Sequence, residues 1–397
     1  MSSNAFAIPQ ELESGLARQQ TRALVIGAVF GAVTLAGAFA NAEQFYRSYL
    51  VAFVFWIGIA LGCLSIAMLH HLTGGAWGVV IRRPLEAATR SFPLLAVLFL
   101  PVLAGIPTLY KWARPEVVKG DHILEHKVAY LNVPFFVGRA ALYFAVWLLL
   151  SLLLNHWSGK QDRDGGNALA GRLRALSAPG LLAYAATMTF AAVDWMMSLD
   201  PHWFSTIYGL LFVSGQAVAA MAFVIAVTVL LAKSSPMAGV IRPIHLHDLG
   251  KLLFAFVMLW AYLNFSQFLI VWSANLPEEI PWYIERMKGG WQYLGLALVG
   301  LNFALPFIML LSQGAKKNPR VLVSVACLVV VMRYADLYWL AVPNFHPHGF
   351  TIHWLDLTSL IGVGGLWVAA YIRFLKSRPL IPIHDPRLAE ALEHGRH

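Results

Sequence analysis

The stretch Ala191 to Gly209, AAVDWMMSLDPHWFSTIYG, places Asp194 near the end of one long apolar run. A short turn, Asp200-Pro201-His202, separates it from the next run. A charge at the bilayer centre costs about 2.5–3.5 kcal/mol on insertion scales, so such a group pairs with a cation or lines a wet cavity. Three more ionisable residues interrupt apolar runs: Arg139, Arg333 and Asp336. Arg333 and Asp336 share a helix face at the i,i+3 spacing and suit a local pair, whereas Asp194 has no basic neighbour on its own run. Two carboxylates and two guanidinium groups suit proton handling. His202 follows just beyond the run, and histidine is the residue type whose charge ordinarily changes near neutral pH, so it extends a proton route toward water. The competing reading makes these groups helix–helix ion pairs that hold a bundle together, and both readings stand at this point.

A second pattern lies in the run after Pro243. Asp248, Lys251, Tyr262, Ser266 and Ser273 fall within roughly 60° of one another on a helix, which makes a polar stripe along the span. It serves either a proton path or helix packing through small and polar residues. Lys251 and Tyr262 are ~16 Å apart along the helix axis, so a path between them needs waters or neighbouring helices. Asn264 and Gln267 point elsewhere and suit cross-links to neighbours.

Redox chemistry is not written into the chain. A haem between helices needs axial ligands at membrane depth, and none of the fourteen histidines lies near the centre of an apolar run. His346, His348 and His353 share one loop, but without a Cys or Glu framework they do not define a metal site. The two cysteines, Cys63 and Cys327, sit alone inside apolar runs and form neither CxxC nor iron–sulfur spacing. No cofactor is expected in this chain.

The elements that must position these groups are set by composition. The 397 residues are 59% hydrophobic and only 12% charged, about half the charge content of a soluble domain. About ten runs have the ~20-residue length of a membrane-spanning helix: 24–40, 49–69, 92–110, 133–154, 178–198, 207–232, 249–272, 291–311, 321–341 and 357–375. The fold class is therefore an all-α polytopic membrane protein. Its parts are an N-terminal segment 1–23, a transmembrane domain 24–375 and a C-terminal tail 376–397. Pro101, Pro107 and Pro306 predict kinks. The start of the chain is polar, with Glu11 and Glu13, and does not read as a cleavable signal peptide. The formal charge of +9 reads as membrane topology rather than nucleic-acid binding. The N-terminus, the loops after even-numbered spans and the tail hold nearly three times as many Lys and Arg as the opposite loops. That asymmetry predicts both termini in the cytoplasm and the Asp200-Pro201-His202 turn outside.

Three long segments carry a family resemblance. They are VDWMMSLDPHWFSTIYG (Val193–Gly209), HDLGKLLFAFVMLWAYLNFSQFLIVWSANLPEEIPWY (His247–Tyr283) and HKVAYLNVPFFVGRAALYF (His126–Phe144). The chain resembles the ActF family of membrane proteins from bacterial alternative complex III, a quinol:cytochrome c oxidoreductase whose membrane subunits are related to NrfD/PsrC-type proteins. The resemblance implies about ten helices with two four-helix bundles at the core, in the bacterial inner membrane. It implies that haem c and iron–sulfur clusters reside in partner proteins of the complex: multihaem cytochromes c, an iron–sulfur protein and an NrfD-like sister protein. It also implies a contribution to proton translocation and a link to menaquinone or ubiquinone. In the NrfD-like sister, the segment matching VDWMMS also carries an aspartate, and Asp194 occupies that place. The following turn differs, with Asp200-Pro201-His202-Trp203 where the sister has a Pro-Gly-Trp-His type sequence. The departure bears on quinol binding and leaves the acid for proton handling. The expected function is thus a redox-inert membrane subunit of a quinol-oxidising complex. Its rivals are an ion or solute transporter and a purely structural anchor.

Overall fold

The computed structural model describes residues 6, 8–164, 167–347 and 349–394. His348 of the expected histidine loop lies outside them. Ten helices are long and apolar enough to cross a membrane, and no strand occurs among the described residues. They are α1 (Gln10–Ala40), α2 (Ala42–Thr73), α3 (Ala76–Ala104), α4 (Val133–Asp164), α5 (Asn167–Trp195), α6 (Tyr208–Leu231), α7 (Pro243–Ala274), α8 (Trp291–Leu311), α9 (Pro319–Ala341) and α10 (Trp354–Leu375). The chain has the architecture of an all-α multi-pass membrane protein. An even number of spans puts the start of α1 and the end of α10 on one face, called here the terminal face. The opposite end is the loop face.

Local sequence sets the helix ends. Pro9 precedes α1, and Glu11 and Glu13 occupy its first turn, where carboxylates complement the exposed N–H groups. Asn41 alone separates α1 from α2, and its side chain accepts the Gln44 amide at 3.0 Å. Asn318 caps α9 by accepting the Arg320 amide at 3.0 Å. Several helices extend beyond the apolar runs, because backbone hydrogen bonding continues past the hydrocarbon wherever polar residues permit a helix. From Gln10 onward the expected N-terminal segment 1–23 is continuous with the first span, as nearly the first half of α1. Helix α3 starts at Ala76 rather than Phe92, and breaks around Ser91, Phe99 and Gly105. The proline effect expected at Pro306 takes the form of a π-helical turn, Leu298–Ala304, just before it. Pro306 has no amide for the usual bond to Asn302, and the wider turn absorbs the mismatch.

Helices α2 to α5 form one four-helix bundle and α6 to α9 a second. Helices α2 and α5 pack against α6 to join them. The join is close: a Cβ on Gly62 of α2 would meet the Gln216 carbonyl of α6 at 2.2 Å, so only glycine permits the approach. Helix α10 lies against α2, and α1 packs almost wholly on α10. The residues after α10 do not trail away. Leu380 and Ile381 are fully buried, and the short helix Leu388–Glu393 returns against α3.

Candidate functional site

Asp194 ends α5 at the loop face with its side chain fully buried. Arg139, two turns into α4, grips it through both carboxylate oxygens. Arg139 Nε donates to Oδ2 at 2.8 Å and Nη2 to Oδ1 at 2.9 Å. The Tyr143 hydroxyl, one turn further along α4, donates to Oδ2 at 2.7 Å. The third guanidinium nitrogen donates to the Tyr130 carbonyl at 3.0 Å. The guanidinium plane also lies 3.8 Å from the Tyr130 ring centroid and 4.2 Å from that of Phe135. A fork of this kind matches a carboxylate in shape and charge. Trp195, next in sequence, packs among Phe53, Phe99, Phe144 and Trp147. The ion pair is therefore seated in a largely aromatic setting.

Arg333 and Asp336 pair with each other on α9, as their spacing predicts. Trp260 of α7 donates its indole N–H to Asp336 at 3.1 Å, and Arg333 lies against Gly215 of α6. The four intramembrane charges are thus two separate pairs, one in each bundle, with no hydrogen bond between the pairs among the described residues. His202 is brought to Asp121 rather than to Asp194: its Nε2 lies 2.7 Å from Asp121 Oδ2. Asp121 in turn caps the helix His122–Lys127, accepting the amides of Ile123 and Leu124 at 3.1 Å. The Leu124 amide and then the His202 ring hold the Asp121 carboxyl below the usual carboxylate range, against an opposing effect of desolvation. A cleft of about 330 Å³ opens beside the Arg139–Asp194 pair, with walls that include Tyr130, Val193, Met197, Trp203 and Phe204. Lys127 stands at its edge and donates to the Pro201 carbonyl at 2.6 Å. Burial lowers the pKa of that ammonium.

The α7 stripe does not line the interior. Lys251, Tyr262 and Ser273 are exposed and Ser266 is half-buried, because the opposite face of α7, through Leu253, Val257 and Trp260, is the one that meets the bundle. Tyr262 is 65% exposed. At the terminal end of the stripe, Asp248 accepts from Lys251 at 3.1 Å and contacts His394 of the tail at 2.9 Å. Gln267 is buried, while Asn264 donates to the Trp260 carbonyl of its own helix at 2.8 Å.

Three sets of buried polar groups escape a sequence reading. Arg286, a loop cation by its place in the sequence, is buried and caps the end of α9. It donates to the carbonyls of Leu340 and Trp339 at 2.8 and 3.2 Å while stacking on Trp282 at 3.5 Å. Arg82 and Arg83, which also read as loop cations, are buried beneath the tail. Arg82 donates to Glu86 at 2.9 Å and to Asp385, and Arg83 pairs with Glu86 and Asp162. Asp356 of α10 accepts from Ser48 and Tyr338. Apart from Glu86 and Trp282, these partners come from other elements of the fold. The only sequence signal is a charge at the boundary of an apolar run. Compared with known proteins, the chain matches no family model and no curated protein.

Proposed function

We propose that the chain is a redox-inert membrane subunit of a quinol:cytochrome c oxidoreductase of the alternative complex III type, in a bacterial inner membrane with its terminal face cytoplasmic. The three long segments that resemble the ActF family support the reading, and two four-helix bundles flanked by two further helices accord with it. In this reading haem c and iron–sulfur clusters belong to partner proteins. The chain contributes protonatable groups near the loop face. The apolar cleft beside Arg139 and Asp194 is the place where the ring of menaquinone or ubiquinone would fit.

The observation that carries this reading is the outward stripe on α7. Tyr262 is 65% exposed and stands twelve residues before the helix end at Ala274, hence ~18 Å deep. A hydroxyl at that depth has no water to bond and is best satisfied by a polar group on a neighbouring protein. Ser266 lies on the same side one turn on. A polar stripe at midplane height that faces out of the molecule suits contact with a partner such as the NrfD-like sister.

Affinity purification of the chain from its native membrane tests this. Multihaem cytochromes c and the iron–sulfur protein should copurify, and Tyr262→Asp should release them while the ten-helix chain remains folded. A chain that purifies alone, and that moves an ion or solute across proteoliposomes by itself, overturns the reading in favour of a transporter.

A further inference from the structure

The buried carboxylates near the loop face differ in their company. Asp194 and Asp336 each hold an arginine. Asp356, in the first turn of α10, is 5% exposed and forms no ion pair among the described residues. Its contacts are all with neutral donors. On Oδ1 it accepts from Ser48 Oγ at 2.5 Å and from Gln44 Nε2 at 3.4 Å. On Oδ2 it accepts the His353 amide at 2.8 Å and lies 2.9 Å from the Tyr338 hydroxyl.

That hydroxyl has a second neighbour, the Thr351 carbonyl at 2.6 Å. A tyrosine has one proton to donate. A carbonyl and an ionised carboxylate only accept. With Asp356 ionised, Tyr338 can satisfy one of the two oxygens and leaves the other short contact without a proton. With a proton on Oδ2, the carboxyl donates to the Tyr338 oxygen and Tyr338 donates to Thr351, so both short contacts are hydrogen bonds. The two states differ in the proton on Oδ2 and in the direction of the tyrosine O–H, and only the protonated state makes a hydrogen bond of each short contact. Thr351 is exposed at the loop face.

The other titratable and charged groups around this site are few. From α2 comes Arg47, which pairs with Glu43 and stacks over Phe345 at 5.0 Å. From α9 comes Tyr334, whose hydroxyl donates to the Asp356 carbonyl at 3.2 Å. From the loop come His346 and His353, the latter accepting the Leu355 amide on Nδ1 at 3.2 Å. None of them forms an ion pair with the carboxylate itself.

We propose that Asp356 is a proton-exchange site, with Tyr338 as the relay to water at the loop face. In the release step the Asp356 Oδ2–H bond breaks and a new O–H bond forms on Tyr338. Tyr338 passes its own hydroxyl proton to a water molecule beside Thr351. Asp356 ends as a carboxylate, Tyr338 stays neutral, and water carries the proton. Uptake is the reverse. This deepens the proton-handling part of the function proposed above and rests on it for its purpose. Its test needs no partner protein.

The measurement is infrared pH-difference spectroscopy of the purified full chain in lipid nanodiscs, with aspartate carbon-13 labelling to single out aspartic acids. A protonated aspartic acid carbonyl band should appear as pH falls. The part of that band due to Asp356 should be lost in Asp356→Asn, persist in Asp194→Asn, and move to higher frequency in Tyr338→Phe, which removes one hydrogen bond. An Asp356→Asn protein with wild-type melting and an unchanged band overturns the proposal. If Asp356→Asn does not fold, Tyr338→Phe decides alone, and a band that it leaves unmoved overturns it. Because the readout is internal to this chain, an unchanged band speaks against Asp356, whereas failure to copurify cytochromes speaks against membership of the complex.

Discussion

Asp194 receives three hydrogen bonds at once, two from Arg139 and one from Tyr143. A carboxylate so held is first a structural tie between α4 and α5. Breaking a buried pair by removing one member costs about 3–5 kcal/mol, whereas replacing both members with apolar residues is often neutral. Arg139→Met should therefore lower the melting temperature strongly, and Arg139→Met combined with Asp194→Leu should recover most of the loss. A double variant no more stable than the single one would show that the pair is not what holds the two helices. The Asp121 carboxyl gives a pH dependence with a defined sign. Its folded value lies below the ordinary carboxylate pKa, so the fold binds this proton less readily than the unfolded chain does. The stabilisation is complete above about pH 4, the unperturbed carboxylate value, and is lost as pH falls through the lower folded value. Hydrogen exchange in residues 121–131 should thus rise on acidification below pH ~4 and resemble that of Asp121→Asn. Exchange that is flat with pH would remove Asp121 as the anchor of this segment.

At the scale of elements, α1 depends on one surface. It packs almost wholly on α10, and the two backbones cross so closely that a Cβ on Gly27 would meet the Leu366 amide nitrogen at 2.5 Å. Contacts of this kind, small residue against small residue, are what hold helices together in lipid, where burial of apolar groups gives no advantage. Gly27→Val should separate α1 from α10 at a cost of about 1–3 kcal/mol, the usual range for overpacking. Exchange should rise in α1 and stay low in α2 and α6, since neither bundle uses α1. If α1 stays protected, the crossing tolerates a larger residue and the glycine is incidental. Helix α7 also presents two unlike faces. Its inner face is apolar with Trp260 bonded to Asp336, and its outer face carries Tyr262 and Ser266.

At the scale of the whole molecule, the terminal face is closed by the tail. Asp385 completes the charge balance around Arg82, and the chain from the buried Leu380 and Ile381 onward returns to the first half of α3. Ending the chain after Leu375 should expose Arg82, Arg83 and Glu86 and raise exchange across residues 76–89. Asp385→Asn alone should have a smaller effect in the same region. No change on truncation would mean that the tail only rests on α3. The same face should be cytoplasmic. A cysteine at Thr206 on the loop face, with Cys327 replaced by Ser, should label from outside sealed cells. Labelling only from within would invert the orientation.

Amino-acid order alone determined the class of the molecule and the number of its spans, because length and hydropathy are properties of a segment. It also determined the Arg333–Asp336 pair, since three residues along one helix bring those side chains together whatever surrounds them. It indicated that Asp194 had to find company, since an isolated carboxylate is too costly in an apolar run. Which company was a matter of tertiary structure. Arg139 is 55 positions away, and only the contact between α4 and α5 delivers it. The α7 stripe shows the same limit from the other side. Its periodicity was legible, but a helix has no inside until its neighbours are placed, and they cover the face opposite Tyr262. Arg82, Arg83 and Arg286 read as loop cations because charge is counted by position along the chain. Burial depends on what returns to cover that position, here the tail and the end of α9. Asp356 was hidden for the same reason. Its position at the start of a span is ordinary, and its lack of an ion-pair partner is a property of α2, α9 and the Thr351 loop, which only the fold brings together around it.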